Sequence, residues 1–496
     1  MGGSGKLAAV TLLTDANLPA RLPPPELLTP EAMARADAAV ARLGTPGRVL
    51  MANAGRAVAR AARRRFAPGR VLVLCGPGNN GGDGYVAAHL LQQCGWPVAV
   101  AALSPPRSGS DAAWAAGRWR GPVVSFTPSS AAGADLVIDA VFGAGLARDV
   151  DGIVADALRA APRVLAIDVP SGVDGANGAV RGYAPAAAAT VTFFRYKPGH
   201  LLLPGRDRCG TLELADIGIP AVVLAAVPVD AWLNRPGLWR LPVLNAESHK
   251  YRRGHVTVLG GAAMTGAARL AAAAARRVGA GLVTLAASGG GEEVYRTSDP
   301  GLIVSDLPLA TLLADERKQV WICGPGLGQD AARSALPALL AAGRTVVADA
   351  DALTAFASDP DGLRGVAVMT PHAGEFARVF GVAGADRLAA ARSAARRSGA
   401  VVLLKGSDTI VAAPDGRAAI NASAPPWLAT AGTGDVLAGL VGGLLAQGLP
   451  PFDAAAAAAW VHGRAAVSAG RFMIVEDLLP ALAGALAEAA AITSQR

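Results

Sequence analysis

Runs of β-branched and other apolar residues alternate with Ala-rich helical patterns along most of the chain, and no other feature restricts its fold so tightly. In the first half the runs are 71–75, 98–103, 136–140, 164–169 and 189–194; in the second they are 255–260, 282–286, 319–324, 345–349, 367–370 and 401–405. Continuous apolar strands separated by helices are the pattern of parallel sheets covered on both faces. The expected fold class is therefore α/β, twice over. Pro220, Pro228, Pro236 and Pro242 break the periodicity between the halves, which marks a linker with its boundary near residue 235. The expected divisions are 1–26 as an N-terminal extension, 27–226 as one domain, 227–244 as the linker and 245–496 as a second domain.

With 496 residues, 52% apolar and 17% charged, the chain is long enough for two or three cores at ~100–200 residues per domain and too apolar for global disorder. Its 60 Gly follow no Gly-X-Y period, so they belong to tight turns and close backbone approaches rather than to a collagen. The net charge of +8 permits phosphate-bearing partners. Only Lys6, Lys197, Lys250, Lys318 and Lys405 are lysines, so a Lys beside a Gly-rich loop carries information that an Arg does not. The densest basic cluster, Arg60 to Arg65, has no interleaved aromatics and reads as a solvated helix end, so nucleic acid is not expected as a partner. Cys75, Cys94, Cys209 and Cys323 make no CxxC pair and no stretch of 18 apolar residues occurs. Free thiols of a reducing compartment and no membrane partner are expected, and the opening residues read as no secretory leader, so the cytoplasm is the simplest location.

In the first half, VLVLCGPGNNGGDGYVAAHLL joins a strand through a Gly-rich turn to a helix. Gly76, Gly78 and Gly81 fit GxGxxG, which suits phosphate on backbone N–H groups at a helix N-terminus. The strand 98–103 ends without the acidic residue that a usual dinucleotide fold places on the ribose. Asn79-Asn80-Gly81-Gly82-Asp83-Gly84 stands instead, offering side-chain oxygens to a hard cation or polar contacts to a nicotinamide-like ring. Asp83 alone would also serve as a helix N-cap. Asp139, Asp168 and Ser171 lie at later strand ends, where an open parallel sheet binds ligands, so they could converge with Asn80 on K⁺, Na⁺ or Mg²⁺.

This set resembles the epimerase domain of the NAD(P)H-hydrate repair enzymes. The resemblance runs from LLTPEAMARAD near residue 27 through LMANAG, GNNGGDG, DAVFGAG, DVPSGVDG and FRYKPGH to LADIGIP at 214–220. It implies a Rossmann-like αβα domain that interconverts the R and S epimers of NADH or NADPH hydrated at ring carbon 6. By resemblance, the hydrated cofactor would contact Asn79, Asn80, Gly81, Gly82, Asp83, Gly143, Ala144, Gly145, Leu146, Ala147, Arg148, Asp149 and Asp168. Asn80, Asp139 and Ser171 would ligate K⁺. Ala52 departs from the family, which often has an acidic residue there. Epimerisation can run by loss and return of the hydroxyl through an iminium ion, with Asp168 as the candidate acid/base.

In the second half, ATAGTGDVLAGLVGG feeds a Gly-rich turn into an apolar helix. The N–H groups of Ala431 to Gly434 would form an anion hole, with Asp435 placed to take a hydroxyl proton in phosphoryl transfer. An Asp complementing a helix dipole explains Asp435 but not the Gly-Thr-Gly before it. No GxxxxGK[ST] is present, which excludes a P-loop enzyme. Lys405 ends a strand where a cation could hold a nucleotide phosphate, and His372 stands beside Thr370, Pro371 and Glu375. From residue 249 onward the segments resemble the ribokinase-like ADP- or ATP-dependent NAD(P)H-hydrate dehydratase, and the order of the two resemblances is that of the fused bifunctional repair family. They imply ADP, with Mg²⁺, on Lys405, Gly406, Ser407, Asp408, Thr409 and Gly434. The S hydrate would contact Ala267, Gly326, His372 and Asp435, the last as catalytic residue. A homo-oligomer acting on small molecules is expected. A ribokinase-like kinase for a vitamin precursor's alcohol, fused to a nucleotide-binding domain, is the alternative, and a binding scaffold a second.

Overall fold

Each half of the chain is built on its own sheet, and the division between the two units falls after Ala231. The structure is a computed structural model that describes residues 23–146, 148–287 and 291–494. In the first unit, six strands pair in parallel: β1 (Val71–Cys75), β2 (Val98–Ala102), β3 (Leu136–Ala140), β4 (Val164–Ile167), β5 (Ala189–Phe193) and β6 (Thr211–Ala215). Their order is β2-β1-β3-β4-β5-β6. Alternate residues of β1 enter different layers, as strand geometry requires. Val71, Val73 and Cys75 pack with α1 (Pro30–Arg42), α2 (Gly47–Arg65) and α3 (Asn79–Gln93), whereas Leu72 and Leu74 pack with Val154 and Leu158 of α4 (Gly152–Ala160). The result is three layers, αβα.

The second unit's sheet takes β7 (His255–Gly260), β8 (Leu282–Ala287), β9 (Ile303–Ser305), β10 (Val320–Cys323), β11 (Thr345–Ala348), β12 (Val368–Met369), β13 (Val401–Leu404), β14 (Ile410–Ala412) and β15 (Ala418–Ile420) in the order β15-β14-β13-β12-β11-β10-β7-β8-β9. Strands β7 to β13 pair in parallel. Val256, Val258, Leu285 and Ile322 bury one face against α5 (Thr265–Arg277), α8 (Thr433–Ala446), α9 (Pro451–Ala469) and α10 (Val475–Ser494). Helices α6 (Gln329–Ala341) and α7 (Arg387–Ser398) contact strands β10, β11, β13 and β14. Among the described residues no helix is long and apolar enough to cross a membrane.

Two expectations are corrected. The second sheet is not wholly parallel: β14 pairs antiparallel with β13 and β15 antiparallel with β14, because a short connection joins strands only by reversing direction. The segment 227–244 is more than a linker. Ala231–Leu233 is a strand beside β15, and the buried Asn234 donates to Asn421 Oδ1 (3.0 Å) and the Ala456 carbonyl (2.7 Å) while accepting from Trp239 Nε1 (2.8 Å). Its prolines stop helix formation without keeping the chain out of the sheet.

Candidate active sites

The carboxyl ends of β1 and β3 flank the point where the first sheet's strand order reverses, the position at which open α/β sheets bind ligands. A cavity of about 780 Å³ lies there, lined among others by Asn79, Asn80, Asp83, Ala144, Asp168 and Lys197. Helix α3 begins at Asn79, so the Asn-Asn-Gly-Gly-Asp run forms its first turns rather than the preceding loop. The N-cap, Gly78, has no side chain to satisfy the first-turn N–H groups, which leaves them for an anion. Gly81 is obligatory, since a Cβ would stand 1.9 Å from the Gly76 carbonyl oxygen.

Carboxylates in this cavity are driven in opposite directions. Asp83 is buried within α3 and is no cap; burial, reinforced by the charges of Asp168 and Asp37, holds its carboxyl well above the usual range. Asp37, reaching in from α1, is pushed up to about 6 by burial, with Lys197 opposing and Asp168 assisting. Asp168 goes the other way. Burial alone would raise it, but the Lys197 ammonium and the Ala144 N–H bring it down to about 2. Its Oδ1 accepts from Lys197 Nζ at 2.6 Å and Thr192 Oγ1 at 3.0 Å, and its Oδ2 from Ala144 N–H at 3.0 Å. A carboxylate held ionised in this way is placed to act as a base or a charge partner.

Asp139 and Ser171 stand together in the interior. Ser171 donates its hydroxyl to Asp139 Oδ1 (2.6 Å) and its N–H to Oδ2 (2.8 Å), and the Phe142 carbonyl lies 3.2 Å from Ser171 Oγ. Burial raises the Asp139 carboxyl against these donors. The Asn80 amide nitrogen is buried without a partner; a half-turn of that amide would present its oxygen instead. Carboxylate, hydroxyl, carbonyl and amide oxygens are the donors a hard cation takes, so the residues fit K⁺. Gly143, Ala144, Gly145, Leu146 and Arg148 also line the cavity, whereas Gly81, Gly82 and Asp149 do not. Ala147 lies outside the described residues.

In the second unit Lys405 Nζ is 2.9 Å from Asp349 Oδ1 and 3.7 Å from Glu375 Oε2. Burial disfavours the ammonium, but these carboxylates outweigh it and hold the lysine charged. A Cβ on Gly434 would lie 3.3 Å from Lys405 Nζ, so the Gly-rich turn and the lysine face each other. Asp435 occupies the first turn of α8, behind the left-handed N-cap Gly432. Its carboxyl is pushed up to about 6, first by burial and then by Asp349, with Lys405 opposing. His372 reaches this group through a shared neighbour: its Nε2 is 3.4 Å from Glu375 Oε1. Ala267 and Gly326 meet at Met264, whose carbonyl accepts the Ala267 N–H at 3.3 Å and would lie 2.2 Å from a Gly326 Cβ. The side chains of Asp408 and Thr409 already have partners within the protein. Asp408 is buried against the Arg387 guanidinium, and Thr409 Oγ1 donates to the Gly406 carbonyl at 2.7 Å; Gly406 and Ser407 stay exposed.

Sequence reasoning passed over Asp37, Thr192, Lys197 and His200 in one site and Asp349 and Arg387 in the other. The rarity of lysine and the FRYKPGH segment were the available signals for Lys197; Asp37 sits on a helix distant in sequence and offered none. Residues 47–199 match the family model described as YjeF-related protein N-terminus, and residues 256–485 that of NAD(P)H-hydrate dehydratase. The chain is 37% identical to the bifunctional NAD(P)H-hydrate repair enzyme Nnr of Moorella thermoacetica, over 88% of this chain and 91% of that protein. Its counterpart in Mycobacterium tuberculosis is 40% identical over 83% and 84%, and that in Pyrobaculum aerophilum 38% over 92% and 97%. With this identity sustained across both units, the chain belongs to the family of bifunctional NAD(P)H-hydrate repair enzymes.

Proposed function

We propose that the protein repairs hydrated NADH and NADPH, the first unit interconverting the R and S epimers and the second removing water from the S epimer with ADP. The observation that carries the reading is the α8 N-terminus facing Lys405 with Asp435 beside it. Amides and an ammonium hold the phosphates, and the Asp435 carboxylate takes the proton of the ring hydroxyl. Transfer of ADP's terminal phosphoryl group leaves AMP and makes the hydroxyl a leaving group. Loss of phosphate, with a proton from the adjacent ring carbon, restores the dihydronicotinamide. Among the described residues no group of three or more His, Cys, Asp or Glu is placed to hold a metal, so Mg²⁺ would come on the nucleotide's phosphates.

In the first unit burial and like charges push Asp83 toward its protonated form while Lys197 holds Asp168 toward its ionised one, within one cavity. Two carboxyl groups driven apart in this way divide into acid and base. Asp83 protonates the departing hydroxyl, Asp168 stabilises the ring cation, and water returned to either face gives either epimer. K⁺ held by Asn80, Asp139 and Ser171 would supply positive charge to this site. The free thiols of Cys75, Cys94, Cys209 and Cys323 support a cytoplasmic home; homo-oligomeric assembly completes the reading, and sedimentation would measure it.

The test is product analysis with the S hydrate. NADH, AMP and phosphate in equal amounts are expected, dependent on ADP. A phosphorylated alcohol that accumulates without NADH would favour the kinase alternative and overturn the reading.

A further inference from the structure

We propose that Lys197 is a positioning residue of the epimerase site, gripping Asp168 at both its side chain and its main chain. The inference rests on the epimerase reading of the first unit.

Lys197 is 2% exposed, one of five lysines in the chain, and lines the cavity. Stability alone does not account for it, because replacing a buried ion pair by apolar residues of similar volume is often neutral or stabilising. Its Nζ donates to Asp168 Oδ1 at 2.6 Å and to Thr192 Oγ1 at 2.9 Å, and Thr192 Oγ1 donates to the same Oδ1 at 3.0 Å. The three groups form a closed triangle around Oδ1. The other oxygen, Oδ2, takes the Ala144 N–H and would lie 3.2 Å from a Cβ on Gly143, so it faces the Gly143 wall of the cavity. Lys197 thus occupies one oxygen and aims the other.

The backbone repeats the arrangement. Asp168 has φ 67°, a left-handed conformation that is costly for a non-Gly residue and persists only where its surroundings enforce it. His200 Nε2 donates to the Asp168 carbonyl at 2.7 Å, and the Lys197 N–H donates to His200 Nδ1 at 2.9 Å. These two bonds fix His200 as the neutral Nε2–H tautomer. One residue therefore reaches Asp168 twice, through its ammonium and through the imidazole its N–H orients.

The charges around Asp168 show why an ammonium stands there. Asp83 on α3 and Asp37 on α1 face Asp168 with carboxyls, while Lys197 and the neutral His200 face it from the segment after β5. Without the lysine, Asp168 would be a third acid among like neighbours and would compete for their proton. With it, Asp168 stays ionised, as a charge partner for a ring cation must.

Lys197→Met in the full-length protein tests this, with R hydrate and ADP reading epimerisation and S hydrate with ADP reading the second unit as an internal control. Expected are a loss of about 10²–10⁴-fold in kcat for epimerisation with KM little changed, and unchanged S-hydrate dehydration. The ratio of variant to wild-type rate should fall further as pH is lowered, and Lys197→Arg should recover part of the loss. Wild-type kcat in Lys197→Met, a change confined to KM, or a loss with neither the pH trend nor rescue by Arg would overturn the proposal. If Lys197→Met also loses S-hydrate dehydration, Asp168→Asn carries the test, with S-hydrate dehydration read beside it as the control for folding; a wild-type epimerisation rate there overturns the proposal, and a kcat loss of similar size with dehydration intact supports it. Wild-type protein that fails to epimerise at all would sink the epimerase reading instead.

Discussion

Lys405→Met removes the Lys405 ammonium from a pocket that also holds Asp349, Glu375 and Asp435. At 2.9 Å the Lys405–Asp349 pair is worth about 6 kcal/mol at an effective dielectric of about 20, before the cost of desolvating both ions. Asp349 is 1% exposed, so taking away its partner strands a buried charge, at about 3–5 kcal/mol. For a unit of this size that lowers the midpoint of its thermal transition by about 6–20 °C. Asp349→Asn in the same protein removes the stranded charge, so the double variant should regain at least half of the lost stability. Dehydration should not return, because the phosphate-holding cation is still missing; both variants should lie about 10²–10³-fold below wild type. Scanning calorimetry beside S-hydrate dehydration reads both arms. A double variant no more stable than Lys405→Met, or one that regains activity, would refute the reasoning.

Other perturbations separate the two units. Gly81→Ala drives a Cβ into the Gly76 carbonyl at 1.9 Å and should abolish epimerisation while leaving S-hydrate dehydration intact, as paired assays on one preparation would show. Asp435 must be ionised to accept a proton, and its carboxyl is pushed up to about 6; kcat/KM for dehydration should therefore fall about tenfold per unit below that pH and level off above it, and a profile flat from pH 5 to 8 would deny it the role. Asn234→Ala removes three buried hydrogen bonds and leaves Trp239 Nε1 without its acceptor, which should cost about 3 kcal/mol, read by denaturant unfolding. Exchanging K⁺ for a large organic cation should slow epimerisation and spare dehydration.

The longer strands were legible because apolar runs ending in Gly or Asp have few other readings. Ile410–Ala412 and Ala418–Ile420 were not, since three residues are too few for a period to show and their pairing comes from the sheet edge they join. The site residues at strand ends were legible for the same topological reason. What they do was less so. DVPSGVDG locates Asp168, but its ionisation depends on Lys197, 29 residues on, and that pairing exists only because β5 lies beside β4. Asp408 and Thr409 show the reverse: a motif places them at the nucleotide, while Arg387 and the turn's own backbone engage their side chains.

The most direct measurement is the recovery of NADH absorbance when a mixture of R and S hydrates is incubated with excess ADP. Conversion of the whole mixture, at a rate well above spontaneous epimerisation, is the expected result, with both units active on one substrate pool. Conversion that stops at the S fraction would contradict the epimerase site built around Asp168, and no conversion at all would contradict the repair function itself.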